Sequence, residues 1–307
     1  MAEKSVIPLF DETSAWLLES QTPSIRYLTL TRLLGKPEMD DEVTKARRLI
    51  STTKPVNGIL SKQDPEGWWK YKTHPYTPKY RSSHWSMLLL TELTADPQHP
   101  GMQAGAEFML VNIPHYFDEK ITGFCCFWGN WLRYELYCGK LDHERVQQTI
   151  EILRADLLRR SQCTWNNDLP CAWGVIRDLY GLALIPEENR STELKAAIQT
   201  GIHFLLDEYD LVSANYPYEA KIHPVWSRIN YPLFYQSDIL FTLRVLKDFG
   251  ALGHPNAQKA IDWLMGKRTR AGIWRGSSPF GKRTWPYTAE PDGVERWITL
   301  HALDVLS

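Results

Sequence analysis

The feature that most constrains the fold is a regular alternation between two kinds of helical segment. In the first kind, apolar residues recur every three or four positions on one face, as in HERVQQTIEILRADLLRR around Val146, Ile150 and Leu153. These amphipathic segments cover roughly 9–19, 40–62, 101–113, 143–162, 192–208 and 255–267. Three of them have helix start signals: Asp40, Ser191, and Pro255 or Asn256. The second kind is apolar on more than one side and covers roughly 23–35, 81–94, 128–140, 172–185, 232–249 and 294–306. Because strict two-residue alternation is nearly absent, the pattern predicts an all-α fold.

Each amphipathic segment is followed, after a loop, by an apolar one, so the chain is an internal repeat of six helical hairpins. Two arrangements of such hairpins are possible. An open superhelix would leave the apolar helices along a concave groove, whereas a ring would place six inner helices around a central cavity and six outer helices around them. A chain of 307 residues suits the ring, because six pairs complete a circle without capping repeats. We therefore expect one domain over residues 1–307.

Charge and hydropathy exclude several classes of partner. The 35 Lys and Arg residues balance 36 Asp and Glu residues, so no net field favours nucleic acid or an anionic membrane surface. No stretch approaches the roughly 20 apolar residues of a membrane-spanning helix, and the first residues do not form a signal peptide. We expect a cytoplasmic protein with no transmembrane segment, whose five cysteines are thiols rather than a disulfide framework.

The tryptophans are concentrated at one kind of position. Of 13 in the chain, Trp16 and Trp263 lie in predicted outer helices. The others lie in the loops from an outer to an inner helix or in the first turn of an inner helix: Trp68, Trp69, Trp85, Trp128, Trp131, Trp165, Trp173, Trp226, Trp274, Trp285 and Trp297. In a ring of hairpins these positions share one face, so we expect a tryptophan-rich mouth on that side.

The joint between the second outer and inner helices carries a recognisable motif. KQDPEGWW, with Gln63, Gly67 and Trp68, resembles the QW motif of the terpenoid cyclase and protein prenyltransferase superfamily, also known for its squalene-cyclase repeat. AIDWLMGKRTRAGIW is a weaker copy, with Gly272 and Trp274 but Arg in place of Gln, and Gly129-Asn130-Trp131 is fainter still. At a joint, Gly permits a tight turn and Trp packs over the helix end.

The resemblance implies an (α/α)6 toroid over the whole chain. It also implies a lyase or isomerase of terpenoid-cyclase type that acts on an isoprenoid or other apolar substrate in the central cavity. The alternative is a toroid of the same fold that binds a lipid or metabolite without chemistry. Glycosidases also occur on such barrels, but no pair of acids stands out at the inner-helix ends.

The acidic motifs of the catalytic members are absent from the sequence. No DxDD occurs, and the nearest string, DEYD at 207–210, ends an outer helix. MDDE at 39–42 is explained as a helix start, with acidic residues against the helix dipole. The proton must therefore come from another group, and Asp238 and His84 are the candidates. Asp238 interrupts the apolar segment YPLFYQSDILFTLRVL, where a carboxylate needs a partner or becomes neutral.

If the inner helices run in one sense, their N-termini converge on one mouth of the ring, where unpaired N–H groups favour an anion. Arginines and aromatic rings dominate the first turns there. They would hold an anionic group and stabilise cationic character, although each could instead fill the centre or pair with a nearby acid. The predicted substrate-binding residues are Arg26, Tyr27, Tyr80, Arg81, Trp85, Trp128, Asn130, Trp131, Trp173, Arg177, Tyr231, Tyr235, Arg296 and Trp297.

A second interpretation of the site uses zinc. Protein prenyltransferase β-subunits hold zinc through an Asp, a Cys two residues later and a distant His. Here Asp168 and Cys171 are three residues apart before an inner helix, with His223 and His301 downstream. Thiolate, imidazole and carboxylate together would suit Zn²⁺. Asp168, Cys171, His223 and His301 are thus the predicted metal ligands of a zinc-dependent transferase or hydrolase, with Asp168 also a catalytic candidate; no other cofactor is expected.

Overall fold

Helices and the loops between them make up the parts of the chain that the computed structural model describes, residues 11–117, 125–214 and 223–307. In chain order the helices are α1 (Asp11–Leu18), α2 (Pro23–Leu28), α3 (Asp41–Thr52), α4 (Val56–Leu60), α5 (Ser83–Glu92), α6 (Pro100–Phe117), α7 (Cys125–Tyr137), α8 (Glu144–Leu158), α9 (Ala172–Leu182), α10 (Thr192–His203), α11 (Ile239–Asp248), α12 (Pro255–Gly266) and α13 (Gly293–Leu306). Over these ranges the only extended pairing is two isolated bridges, Cys163 with Leu169 and Asn230 with Ser277. The predicted all-α class is confirmed.

The two kinds of helix also differ in burial, as the patterns predict. Every residue of α5 from Ser83 to Thr91 is buried, whereas α12 buries only Ala257, Ala260 and Leu264. Start signals are confirmed at two amphipathic helices. The Asp40 side chain accepts from the second residue of α3 at 2.9 Å, and Ser191 accepts from the third residue of α10 at 3.1 Å. Helix α12 begins at Pro255, with His254 rather than Asn256 as its cap.

Two predicted helices have different bounds in the structure. The segment 40–62 is divided into α3 and α4, because Pro55 lacks an N–H group and disfavours helix at the residue before it. The segment 232–249 becomes helical only at Ile239. Pro232 begins an irregular stretch, and Asp238 ends it by capping α11. Tyr231 and Tyr235 therefore lie in a loop rather than in a first helical turn.

The apolar helices pack against one another in chain order. Helix α7 contacts α5 and α9, α9 contacts α11, α11 contacts α13, and α13 contacts α2. Ser24 at the start of α2 donates to the carbonyl of Leu93, just beyond α5, at 2.6 Å. Helices α7 and α9 approach most closely, because a Cβ on Gly129 would lie 2.1 Å from the Arg177 carbonyl oxygen. The helical backbones can therefore touch only where glycine is present.

One continuous cluster of buried apolar side chains extends from Leu17 in α1 to Val305 in α13. It is the core against which both kinds of helix pack. In the described ranges, no helix combines the length and the apolarity needed to cross a bilayer.

Candidate functional site

The joint between α4 and α5 is organised by two side chains. Gln63 donates through Nε2 to the carbonyls of Gly67 at 3.1 Å and Gly101 at 2.8 Å. The indole of Trp69 donates to the carbonyl of Ile59 at 2.9 Å, and its backbone N–H donates to Ser83 Oγ. The tryptophan bonded to the end of α4 is thus Trp69, which is fully buried, whereas the motif match assigned the half-buried Trp68.

The joint between α12 and α13 repeats this arrangement. Arg268 Nε donates to the carbonyl of Gly272 at 3.0 Å, in the place of Gln63 Nε2. Trp274 donates through its indole to Leu264 at 2.7 Å and through its backbone to Thr299 Oγ1 at 3.0 Å. The weaker sequence copy therefore repeats both tryptophan hydrogen bonds and the bond to the glycine carbonyl, with a guanidinium as the donor in place of the amide. The third string, Gly129-Asn130-Trp131, lies inside α7 and is not a joint.

Between the starts of α5 and α7 and the loop before α11 lies an assembly of rings, which we call the aromatic cluster. Tyr80 and Trp85 pack against Phe234 with ring centroids 4.8 and 5.7 Å apart, and Trp85 lies 6.2 Å from Tyr235. Three of the predicted substrate-binding residues, Tyr80, Trp85 and Tyr235, are therefore brought together. The members are Tyr76, Tyr80, His84, Trp85, Phe127, Phe234 and Tyr235.

Part of this cluster is open to solvent. Tyr76 and Tyr235 are half-buried, as is Trp173, whose ring lies 6.3 Å from that of Tyr235. The exposed Lys79 places Nζ 4.7 Å from the centre of the Tyr235 ring and 5.9 Å from that of Tyr76. Our sequence prediction omitted Tyr76, although the aromatic bias of the joints marks it. The cluster thus presents ring faces to a positive charge at its edge.

His84 lies fully buried within the cluster. Its ring is 4.5 Å from Phe127 and 4.6 Å from Trp85, and Nδ1 is 3.1 Å from the hydroxyl of Tyr134. Nε2 is buried and has no hydrogen-bond partner. Burial lowers the pKa of His84 to about 3, so the imidazole is neutral near pH 7. It therefore offers one unused polar atom inside an apolar surround.

Asp238 is the N-cap of α11. One oxygen accepts from the N–H of Phe241 at 2.8 Å, and the other accepts from the backbone N–H and the side-chain amide of Asn230 at 2.8 and 3.0 Å. Burial raises the pKa of Asp238 to about 6, against the effect of these donors. Both oxygens hold the loop before α11 in place, and the carboxyl's role as an acid stays a prediction.

Two of the predicted anion-binding arginines fix loops. Arg81 donates through Nε and Nη2 to the carbonyl of Thr284 at 3.1 and 3.0 Å. Arg177 donates to the carbonyl of Gln236, approaches Asn130 Oδ1 at 3.4 Å, and lies over the Phe241 ring at 3.9 Å. These guanidinium groups connect the loop before α13 to the start of α5 and the loop before α11 to α9.

The other two arginines lie elsewhere. Arg296 pairs with Asp292 at 3.1 Å and with Glu290 at 3.3 Å, and its guanidinium covers the Trp16 ring. Arg26 is half-buried on α2. Three of the four predicted arginines, Arg81, Arg177 and Arg296, thus donate hydrogen bonds to groups of the protein itself.

Tyr27 occupies the opposite end of the apolar helices. Its hydroxyl donates to Glu38 at 2.6 Å, and it lines a surface pocket of about 350 Å³ with Thr94, Asp96 and Tyr137, which follow or end α5 and α7. Burial and Glu38 raise the pKa of Tyr27 to about 12. Tyr27 therefore does not belong to the same place as the aromatic cluster.

The remaining predicted rings form two groups. Trp297 stacks on Tyr231 at 4.6 Å and lies 5.6 Å from His301. Trp128 and Trp131 pack edge to face at 5.8 Å, next to Phe127. Tyr231 and His301 also line a cavity of only about 10 Å³, enough for one water molecule.

A buried ion pair, which we did not predict from the sequence, lines that cavity. Glu92 at the end of α5 and Arg244 on α11 approach at 3.2 Å, with their side chains 8% and 15% exposed. Tyr180 donates to the same carboxylate, and Arg133 lies over the Tyr180 ring at 4.2 Å. The charge of Arg244 lowers the pKa of Glu92 although burial opposes it. A charged residue in each of two apolar helices is the signal that could have revealed the pair.

Two thiols are hydrogen-bonded at the segment that leads into α9, and a third lies near them on α7. Cys171 is the N-cap of α9, and its Sγ accepts from the N–H of Gly174 at 3.4 Å. The Cys171 thiol is hydrogen-bonded to Cys163, which lowers the pKa of Cys163 to about 6 and raises that of Cys171 well above its usual value. Cys126 on α7 interacts electrostatically with both, and burial raises its pKa to about 12. The sequence singled out Cys171 but not its partner Cys163.

Each of the predicted zinc ligands has different neighbours in the structure. Asp168 is exposed in the loop before α9, and the ring of His223 packs against Trp173 at 4.9 Å. His301 packs against Trp297 in α13, with Cys171 instead paired to Cys163. Over the described ranges, no three His, Cys, Asp or Glu side chains are placed to hold a metal ion. The zinc site stays a prediction.

Comparisons with models of protein families, with curated proteins and with solved structures give no match to this chain.

Proposed function

We propose that the chain folds as a single (α/α)6 toroid, with the apolar helices inside and the amphipathic helices outside. The order of contacts supports this arrangement, since α5, α7, α9, α11 and α13 contact one another in turn and α13 contacts α2. Between α2 and α5 the link is the hydrogen bond from Ser24 to the carbonyl of Leu93. The repeated joint built on Trp69 and Trp274 also supports it. Joints with the same hydrogen bonds give the same angle between an amphipathic helix and the apolar helix that follows it. In such a ring the aromatic cluster lies at the N-terminal mouth.

The toroid acts, in this proposal, on an isoprenoid or similar apolar molecule at the aromatic cluster, as a lyase or isomerase of terpenoid-cyclase type. The observation that carries the proposal is the position of Lys79 over the faces of Tyr235 and Tyr76. Rings that accept an ammonium can equally stabilise a carbocation, and half-buried rings give an apolar chain a surface to pack on.

His84 is the favoured group for moving the proton. In the tautomer in which Nδ1–H donates to the Tyr134 hydroxyl, Nε2 carries an unused lone pair inside the cluster. Its low pKa makes it a weak base, but a carbocation is a strong acid, so a weak base is sufficient to take its proton. Asp238 is less suited, since both its oxygens already accept hydrogen bonds.

The hydrogen bonds that both Asp238 oxygens accept also favour a second candidate function. This is a carrier that binds the same class of molecule without chemistry. A cyclase that starts by protonation needs an acid that can reach its substrate, whereas this carboxyl is fully buried and both its oxygens accept from N–H groups of the protein. The carrier uses only the ring surfaces.

The deciding experiment combines ligand extraction with product analysis. The purified chain is extracted with organic solvent for co-purifying lipid, then incubated with geranylgeranyl diphosphate or with squalene, and the products are identified by gas chromatography and mass spectrometry. An enzyme gives a cyclic or rearranged product that is lost in Tyr235→Ala and His84→Phe and kept in the matched control Tyr71→Ala, whose ring is 57% exposed. A bound lipid without product indicates the carrier. A folded chain with neither overturns both.

A further inference from the structure

The surface pocket beside Tyr27 lies at the opposite end of the apolar helices from the aromatic cluster. Its volume is about 350 Å³, which falls within the roughly 300–1,000 Å³ of small-molecule sites in proteins. Tyr27 and Tyr137 line it, together with charged side chains of both signs: Arg32, Glu38, Arg47 and Asp96. A pocket of this composition suits a small ligand that has both a polar and an apolar part.

Two of the four charges neutralise each other. Arg47 Nη1 donates to one oxygen of Glu38 at 3.0 Å, and the Tyr27 hydroxyl donates to the other oxygen at 2.6 Å. Because Glu38 and Arg47 already form an ion pair, neither of them requires a charged ligand.

Arg32 and Asp96 carry the other two charges, on different walls of the pocket. Arg32 lies on the helical turn Thr29–Leu33 that continues α2, and Asp96 follows the end of α5. Arg32 acts electrostatically on Tyr27, whereas Asp96 acts on Tyr137. The positive charge therefore lies on the Tyr27 side of the pocket and the negative charge on the Tyr137 side.

Neither of these two groups is saturated by the protein. Arg32 donates through Nη1 to Asp304 at 2.9 Å, and Asp304 is shared with Lys247 at 3.1 Å. Among the described residues, no acceptor bonds Nε or Nη2 of Arg32, whose side chain is 43% exposed. Asp96 caps the N–H of Gln98 through Oδ1 at 3.0 Å and forms no ion pair within the described ranges. A ligand can therefore reach a guanidinium edge on one wall and a carboxylate on the other.

The backbone around Asp96 favours a positive charge. Asp96 lies just beyond the C-terminal end of α5 and Tyr137 ends α7, and the last carbonyl groups of both helices carry partial negative charge. Thr94, which turns the chain from α5 to Asp96, has a φ of +55°. This conformation is strained for a β-branched residue, and strain of this kind clusters at ligand sites. An ammonium group is therefore favoured on this wall.

We propose that this pocket binds a small amino-acid zwitterion, a molecule with one ammonium group and one carboxylate. Asp96 accepts from the ammonium group, and Arg32 donates from Nε and Nη2 to the carboxylate as a bidentate pair. Tyr27 and Tyr137 pack against the carbon chain of the ligand. The proposal does not rest on the function proposed for the aromatic cluster, because the two places share no residue.

The test is isothermal titration calorimetry of the full-length chain with two zwitterions. L-Phenylalanine has its charged groups on one carbon atom, and 5-aminopentanoate has them at the two ends of a chain, so the two probes separate the possible spacings. Each is compared with the amine and the acid that lack one charge: phenethylamine and 3-phenylpropionate, or pentylamine and pentanoate. We expect one zwitterion to bind at least about tenfold more tightly than its amine and its acid, because each of those leaves one charged group without a partner.

Two variants identify the place of binding. Asp96→Asn, which keeps the cap on Gln98, is expected to lose about tenfold in affinity for the zwitterion and none for the acid. Arg32→Gln is expected to lose as much for the zwitterion and none for the amine. The matched control is Arg48→Gln, because Arg48 is exposed on α3 and does not line the pocket. This variant binds as the wild type does, and circular dichroism verifies that every variant is folded.

Three results overturn the proposal. The first is a folded wild type that binds neither zwitterion, and the second is an amine or acid that binds as tightly as its zwitterion. The third is unchanged affinity for the zwitterion in either Asp96→Asn or Arg32→Gln.

Discussion

Trp69 and Trp274 donate their indole N–H to a backbone carbonyl ten residues earlier, at 2.9 and 2.7 Å. Both acceptors, Ile59 and Leu264, belong to the preceding amphipathic helix, and both backbone N–H groups bind a hydroxyl on the following apolar helix. Each tryptophan therefore joins two helices by two hydrogen bonds, and the joint is a repeated structural unit.

We expect Trp69→Phe and Trp274→Phe each to lower the free energy of unfolding by about 1–3 kcal/mol. Each loses one buried hydrogen bond and leaves a small void. Urea unfolding followed by circular dichroism measures the loss. The control is Trp165→Phe, because that ring is 80% exposed, and its expected change is below about 0.5 kcal/mol. Equal losses in all three variants would show that the joints have no special role.

Two effects disfavour a side chain at Gly67: its backbone conformation and its close approach to Ala104. Its φ of +94° disfavours any side chain, and a Cβ there would lie 2.1 Å from the carbonyl oxygen of Ala104. Gly139 has a φ of +79° but open space around it. We expect Gly139→Ala to cost about 1–2 kcal/mol from backbone strain and Gly67→Ala to cost at least about 3 kcal/mol. Similar midpoints in urea for the two variants would contradict the contact with Ala104.

The Glu92–Arg244 pair is expected to behave as a buried salt bridge. Glu92→Gln leaves the Arg244 charge without its partner, so we expect a loss of about 3–5 kcal/mol in the free energy of unfolding. The control is Glu66→Gln, which removes an ion pair with Lys72 whose side chains are 60% and 56% exposed, at a cost below about 1 kcal/mol. Chemical unfolding of both variants makes the comparison, and a small loss in Glu92→Gln would contradict the pair's burial.

The raised pKa of Asp238 predicts that the stability of the fold depends on pH. Its pKa rises from 3.8 to about 6 on folding, so its stabilising contribution is complete below pH 3.8 and is lost as the pH rises through 6. Relative to Asp238→Asn, we expect the wild type to lose roughly 3 kcal/mol of unfolding free energy over that interval. Urea unfolding at several pH values measures the difference. A difference that does not vary with pH would mean that folding leaves the pKa of Asp238 unchanged.

The lowered pKa of His84 predicts the opposite dependence of stability on pH. Folding lowers its pKa from 6.5 to about 3, so the stability that goes with the neutral ring is present above pH 6.5 and is lost as the pH falls towards 3. Relative to His84→Phe, we expect the wild type to lose about 1.4 kcal/mol per pH unit below 6.5. His74→Phe is the control, since His74 is exposed. A wild type that follows His84→Phe at low pH would place His84 in contact with water.

The helices were predictable because their signals are local. Apolar spacing located both kinds of helix, and caps such as Asp40 and Ser191 marked their starts. The prediction failed where one residue overrides the spacing, as Pro55 does between α3 and α4. Of the predicted site, Tyr80, His84, Trp85 and Tyr235 meet in the aromatic cluster, since all lie near the starts of apolar helices.

By itself, the sequence determined the all-α class, the order of helices and the positions of the joints, because periodicity, caps and turn glycines act within a few residues. Only the tertiary structure decided which polar groups meet. Arg81 binds the carbonyl of Thr284, and Glu92 binds Arg244, across separations of 203 and 152 residues. Such partners depend on how helices pack, and packing places side chains together that no local pattern relates.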